Sequence, residues 1–432
     1  MSLTVLGSMG IALMVILIFL RMPVAFAMAL VGSLGLGYIS GLNVSVANLG
    51  IVSYSTVANF NMAVLPLFLL MGNVAGQAGI SRDIYRTSYT WFGRVKGGLA
   101  MASVVGCGGF AAICGSSAAT AAAMGTVALP EMQKFKYDPK LAIGSIAAGG
   151  TLGFLIPPSL GFIIYALLTE ESIGKLFMAG ILPGVLEIIL YMITIWYICL
   201  RNPDMGPAGP RTSFGEKIVS LKGSWSMMAL FLLVMGGIYL GVFTPGEAGA
   251  IGAFGAFVIG FARRRLGRRG ILDSFMDTGR ATAMVLLLIF GATTFTQFMA
   301  VTKIPFTLAN MIGGLEVNRY VILVGILFFY ILIGCVFDVM AAMFLTLPIL
   351  FPVVSALDFH PIWYGVLMVR VVEIGQITPP FGLVCFVLSG VTKESAGTIF
   401  RGVAPFLVAD IFMIALLVVF PQISLFLPNM MK

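Results

Sequence analysis

Two short stretches of the chain place backbone oxygens where they can do chemistry. Pro157 and Pro158 interrupt GTLGFLIPPSLG (150–161), and Pro379 and Pro380 interrupt EIGQITPPFG (373–382), each within an apolar run of membrane-spanning length. A proline has no N–H to give the carbonyl four residues back. The first pair therefore frees the carbonyls of Gly153 and Phe154, and the second those of Gly375 and Gln376. An unpaired carbonyl in hydrocarbon costs several kcal/mol, and a hard cation is a suitable partner for it. The half-helices that restart at Pro158 and Pro380 present positive N-terminal ends suited to a substrate carboxylate. A plain proline kink is the alternative for a single break, and less so for two related ones.

Other candidate ligands gather near these breaks. The segment CGSSAATAAAMG (114–125) is small and hydroxylated, so Ser116, Ser117 and Thr120 can approach the backbone at 150–158 closely. Simple small-residue helix packing is the alternative. Asp338, in CVFDVMAAM, is a carboxylate at membrane depth, a functional candidate by its cost alone. It serves either a cation or the amides of its own turn. Arg370 and Glu373 lie one helical turn apart in MVRVVEIG. They pair with each other, or Arg370 grips a substrate carboxylate through its planar fork. Glu187, Glu247 and Asp410 are read as structural. The single His360 and the scattered Cys107, Cys114, Cys199, Cys335 and Cys385 support neither a zinc site nor a disulfide framework. No HExxH or GxSxG motif is present, so an enzyme is not expected, and neither is a cofactor beyond coupling ions.

The elements that position these residues are membrane helices. Of 432 residues, 59% are hydrophobic and only 10% charged, more apolar surface than a soluble core could hide. Unalternating runs such as LGSMGIALMVILIFL exclude a barrel, leaving an all-α integral membrane protein. That first run lacks a basic leader and is expected to stay as a helix. The net charge of +8 is read as topology, not nucleic-acid binding. With RRRLGRR (263–269) placed inside, 20 of the 25 Lys and Arg fall inside, four outside (Lys175, Lys303, Arg319, Lys432) and Arg370 within a span. Basic residues on both flanks make 97–132 a re-entrant hairpin from the cytoplasmic side, and 320–356 becomes a second one opening to the other face.

A shift of 222 residues superimposes Pro130 on Pro352, Pro139 on Pro361, Gly153 on Gly375, the two proline pairs on each other, and Pro183 on Pro405. One residue out of step, ESIGKLF (171–177) matches ESAGTIF (394–400). The opposite charge of the flanks makes the repeat inverted, the architecture of secondary transporters with sites at paired helix breaks. The expected division is scaffold helices at 1–95, a transport half at 96–180 with a broken helix at 139–168, connecting and scaffold helices at 181–318, and a second transport half at 319–432 with a broken helix at 362–390.

Five ordered motifs, RMPVAFAMAL, GSSAATAAAMG, GTLGFLIPPS, GIYLGVFTPGEAGA and EIGQITPPFGL, make the chain resemble the large membrane (M) subunit of tripartite ATP-independent periplasmic (TRAP) transporters. The resemblance implies a sodium-coupled importer of the bacterial inner membrane that moves by an elevator motion. It also implies a small four-helix Q subunit, expected as a separate chain, and a soluble periplasmic P subunit that delivers an organic acid. Carried over by motif, one sodium site lies between Ser116 and Ser117 and the backbone of Gly149, Gly150, Gly153 and Phe154. The other lies between Asp338 and Gly375, Gln376 and Thr378. Substrate contacts fall to Ser117, Thr120, Arg370, Pro158 and Pro380, although the family often has a neutral residue at the position of Arg370. A stand-alone sodium-coupled carboxylate symporter with the same hairpins is the alternative.

Overall fold

Helices with few polar interruptions account for the described residues, which are 2–209, 212–313 and 317–431 of this computed structural model. Among them there is no strand, and nine helices are long and apolar enough to cross a membrane. The chain is therefore a multi-pass membrane protein. Lys432, expected outside, and Arg211, in a loop expected inside, lie beyond the described residues.

Four apolar helices lead, α1 (Leu3–Phe19), α2 (Val24–Ser40), α3 (Leu42–Ala58) and α4 (Val64–Gln77). The next, α5 (Ile80–Phe92), is two-faced: it buries Ile80, Ile84 and Tyr85 and exposes Arg82 and Arg86. That is the pattern of a helix lying along an interface.

A helical hairpin follows, α6 (Gly98–Cys114) and α7 (Ser117–Lys134), turning at Gly115 with φ of 63°. The Tyr137 phenol accepts from the Leu99 N–H at 3.1 Å, so the hairpin leaves beside the point where it entered. The chain then runs through α8 (Pro139–Gly150), the short α9 (Leu152–Leu155) and α10 (Leu160–Thr169), one helix interrupted at the first proline pair. A long helix, α11 (Ile173–Arg201), completes the set.

After α12 (Phe214–Tyr239), α13 (Pro245–Ala262), α14 (Arg268–Thr302) and α15 (Ile304–Gly313), the same order returns. The second hairpin is α16 (Arg319–Val336) with α17 (Val339–Ala356), and the second interrupted helix is α18 (Pro361–Ile377) with α19 (Leu383–Thr392). The closing elements are α20 (Ala396–Val419) and α21 (Gln422–Met430). Matched Pro139 and Pro361 both open a helix, where a missing N–H costs nothing. Their caps are Asp138 and His360, whose Nδ1 accepts from the Ile362 N–H at 3.3 Å. The lone histidine is thus a helix cap.

The loops sort to two ends. At one, the Gly97 N–H donates to the Gly206 carbonyl at 2.8 Å, the Asp138 N–H to that of Met205 at 3.0 Å, and Arg263 and Arg265 pair with Asp83. At the other, the Tyr165 hydroxyl donates to the Pro361 carbonyl and Trp363 Nε1 to that of Leu417, both at 2.7 Å. Each of these contacts joins segments expected on the same face. The two repeats meet where α8 crosses α20, backbone against backbone at Gly144 and Gly402.

Glu247 closes a capping box at the start of α13: its carboxylate accepts from the Thr244 N–H at 2.8 Å, and its own N–H donates to the Thr244 hydroxyl at 3.3 Å. Replacing Glu247 with Ala should lower the thermal midpoint slightly and leave transport intact. Thermal unfolding in detergent, set beside uptake, checks this; lost uptake at an unchanged midpoint would place Glu247 in the transport machinery.

Candidate functional site

At the first break the hairpin tip sits directly on backbone. A Cβ at Gly153 would lie 2.6 Å from the Ser116 carbonyl carbon and the Ser117 nitrogen, so only glycine admits this approach. Gly150 faces Ala121 and Gly149 faces Cys107 in the same close manner. The Thr120 hydroxyl donates to the Ser116 carbonyl at 2.7 Å. A Cβ on Gly115 would stand 2.7 Å from the Pro158 carbonyl oxygen. Ser116, Ser117, Thr120, Gly150, Gly153, Phe154 and Pro158 are thereby brought to one place, while Gly149 lies farther down the hairpin against Cys107.

The freed carbonyls are not equivalent. That of Phe154 accepts from the Ser159 hydroxyl, which replaces the missing helical donor. Gly153 receives no donor from outside its helix among the described residues, and the Ser117 hydroxyl beside it is buried without a partner.

The second break repeats the contact one helical turn earlier on its hairpin. A Cβ at Gly375 would lie 2.5 Å from the Gly334 carbonyl carbon and 2.8 Å from the Cys335 nitrogen. Gln376 laces the hairpin to the break, its amide donating to the Gly334 carbonyl at 2.8 Å and that of Phe337 at 2.7 Å. The Thr378 N–H donates to the Gly375 carbonyl at 3.1 Å, so this oxygen is not left free, whereas the Gln376 carbonyl faces Pro380 with no N–H. Asp338 caps α17, accepting from the Ala341 N–H at 3.1 Å. Each proline pair is joined by a cis peptide bond. Pro157 and Pro158 are buried, while Pro379, Pro380 and Phe381 are exposed. The first break is shut under its hairpin and the second opens to the surface.

Arg370 occupies neither of the surroundings anticipated for it. It is wholly buried, and its Nη2 donates to Asp410 Oδ1 at 2.5 Å and the Tyr191 hydroxyl at 2.9 Å and pairs with Glu187. Its Nη1 donates to the Thr151 hydroxyl at 3.2 Å, in the first break. The Tyr191 hydroxyl also donates to Asp410 Oδ1, at 2.6 Å. No Arg370–Glu373 bridge forms, and both Glu373 oxygens lack hydrogen-bond partners, although the carboxylate faces the Ser117 hydroxyl. Glu187, Arg370, Glu373 and Asp410 are all 0% exposed. One guanidinium from the second repeat thus ties α11 and α20 to the first break, with its fork occupied by protein carboxylates.

Sequence reasoning set Glu187 and Asp410 aside as structural acids without seeing the cluster. A signal for it existed: the two are 223 residues apart, the same offset that relates the ESIGKLF and ESAGTIF segments. What hid it is that the Arg370 counterpart is Ala148, so a search for symmetric ion sites passes over it.

Comparison with known proteins shows the family. The family model described as the DctM component of the tripartite ATP-independent periplasmic transporter matches residues 11–423. The chain belongs to that family of transporter large permeases. Among relatives, it is 35% identical to the C4-dicarboxylate TRAP transporter large permease protein DctM of Pseudomonas aeruginosa, over 89% of this chain and 90% of that one. It is 32% identical to the sialic acid TRAP transporter large permease protein SiaM of Vibrio cholerae, over 96% of each. The isethionate TRAP transporter permease protein DctMQ of Oleidesulfovibrio alaskensis is also 32% identical, over 87% of this chain but 59% of that longer protein. The fold resembles the YdaH transporter of Alcanivorax borkumensis, with a TM-score of 0.58 at 16% identity over 89% of each chain. It also resembles MtrF of Neisseria gonorrhoeae, with a TM-score of 0.60 at 15% identity over 88% of this chain and 85% of that one.

Replacing Arg370 with Ala strands the two buried carboxylates it pairs with, Glu187 and Asp410, and should cost about 3–5 kcal/mol, read as a large fall in the thermal midpoint. An unchanged midpoint would mean that the guanidinium does not hold the cluster together.

Proposed function

We propose that the chain is the permease subunit of a sodium-coupled importer of organic acids, embedded in the inner membrane and supplied by a soluble periplasmic binding protein. The observation that carries this reading is the doubled contact of hairpin and helix break, Ser116–Ser117 on Gly153 and Gly334–Cys335 on Gly375. Each contact brings polar backbone from two elements to a point where prolines have removed the helical donor. Such convergence in an apolar surrounding favours a cation. One sodium ion would be held by Ser116, Ser117 and the backbone of Gly149, Gly150, Gly153 and Phe154. The other would be held by Asp338 with Gly375, Gln376 and Thr378.

The substrate carboxylate would lie between these ions, against Ser117 and Thr120 and the restarting helix ends at Pro158 and Pro380. Arg370 would contribute its field from behind, through Thr151. The hairpins α6–α7 and α16–α17 would be re-entrant, and with the broken helices they would form the moving halves at 96–180 and 319–432. The remaining helices, at 1–95 and 181–318, would serve as scaffold. Ion binding would order the hairpin tips and neutralise the site, allowing the loaded body to slide across the bilayer. Relatives named for C4-dicarboxylates and sialic acid support an acidic cargo. The DctMQ relative, with much length beyond the matched part, supports a Q subunit as partner.

In proteoliposomes supplied with the binding protein, Asp338→Ala and Ser117→Phe should each reduce sodium-driven uptake to background, while both variants still insert. Full uptake in either would remove that residue's ion site. Uptake by this chain with no binding protein would favour a stand-alone carboxylate symporter.

A further inference from the structure

Near the basic end of the molecule α5 and α12 lie side by side. The Thr87 hydroxyl donates to the Ser220 carbonyl at 2.9 Å, Trp91 Nε1 to that of Lys217 at 3.2 Å, and the Thr212 hydroxyl to that of Thr90 at 2.8 Å. Alongside these contacts opens a groove of about 1060 Å³ whose charged lining is Arg86, Lys222, Arg263 and Arg265 against Asp83 and Glu216. Both acids are already engaged. Asp83 takes Arg263 and Arg265, and Glu216 accepts from the Ser213 N–H at 2.7 Å to close the cap of α12. Arg86 and Lys222 are exposed and form no ion pair among the described residues. The groove therefore offers unspent positive charge to an anion.

Its position selects the kind of anion. At 26 residues α12 is about 39 Å long at 1.5 Å per residue, against a hydrocarbon core of about 30 Å. Its charges, Glu216, Lys217 and Lys222, all lie in the first turns that line the groove, so this is the end that stands at headgroup level. From Lys222 one face of α12 continues through Trp225, Met228 and Leu232, exposed by 67%, 48% and 61%. Lys217 sits 5.8 Å from the centre of the Trp91 ring, an aromatic beside a cation as at membrane–water boundaries. A free phosphate would use the groove alone. A phospholipid uses the groove and the apolar track together.

We propose that this groove binds an anionic phospholipid of the adjacent leaflet. Arg86 and Lys222 hold its phosphate, with Arg263 and Arg265 behind them, and its acyl chains lie along Trp225, Met228 and Leu232. The site is separate from the helix breaks and does not depend on what the protein carries.

Native mass spectrometry of the full chain in detergent, with phosphatidylglycerol, phosphatidylethanolamine or inorganic phosphate added, tests this. Phosphatidylglycerol should be retained in preference to phosphatidylethanolamine. At about fivefold per interfacial cation, Lys222→Gln should weaken its retention about fivefold and the Arg86→Gln/Lys222→Gln pair about thirtyfold. Lys393→Gln, on another exposed cation, should change nothing. Thermal unfolding checks that the variants fold, and the single Lys222→Gln stands as the test if the pair does not. Equal retention of the two lipids, or undiminished retention in Lys222→Gln, would overturn the proposal. So would displacement of the lipid by inorganic phosphate, which marks a free-anion site, or by an added partner subunit, which marks a protein interface.

Discussion

A backbone carbonyl without a donor is expensive in an apolar surrounding, and much of this structure is arranged around two places where prolines create that condition. The cost is reduced locally at Phe154, where Ser159 supplies a hydroxyl, and at Gly375, where the Thr378 N–H folds back. It persists at Gly153, where the first hairpin arrives, and at Gln376, next to the Gly375 on which the second hairpin rests. Glycine is needed on the break because the approaching element is itself backbone: at Gly153 and Gly375 even a methyl group would overlap main-chain atoms of the hairpin. The rest of each repeat, hairpin before and long helix after, holds that contact in place.

The buried charge cluster connects the two places. Arg370 starts from the second broken helix, reaches Thr151 in the first, and is held by acids on α11 and α20, the long helices that follow each break. A buried ion network is weak evidence for added stability, since desolvation offsets most of the Coulomb gain, whereas removal of one partner is severe. Its physical effect is positional: four elements from both repeats share one guanidinium. Glu373 stands at its edge beside Ser117, with neither oxygen in a hydrogen bond, so the cluster borders the first hairpin tip.

Much of this was legible in the sequence. The proline pairs, the hairpins and the 222-residue relation follow from composition and spacing, because each is a local feature or a repeated one. The capping roles of His360 and Glu247 follow from helix-start chemistry once the boundaries are known. The Glu187–Arg370–Asp410 cluster was not read, because its members lie 183 and 40 residues apart and Arg370 has only Ala148 as its repeat partner. The unlike exposure of Pro158 and Pro380 was also beyond reach: symmetry in sequence says nothing about which of two equivalent breaks is covered. The extra turn between Asp338 and the Gly375 contact has the same origin, since packing of Gln376 into α16 sets that register.

The central claim is that two helix breaks serve as two cation sites acting together. The most direct measurement is the dependence of initial uptake on sodium concentration in proteoliposomes with a fixed supply of loaded binding protein. Uptake rising with more than the first power of sodium, and falling to first order or to background when Gly153 is replaced by Ala, is the predicted result. Uptake that is indifferent to sodium, or unchanged in order by that substitution, would contradict it.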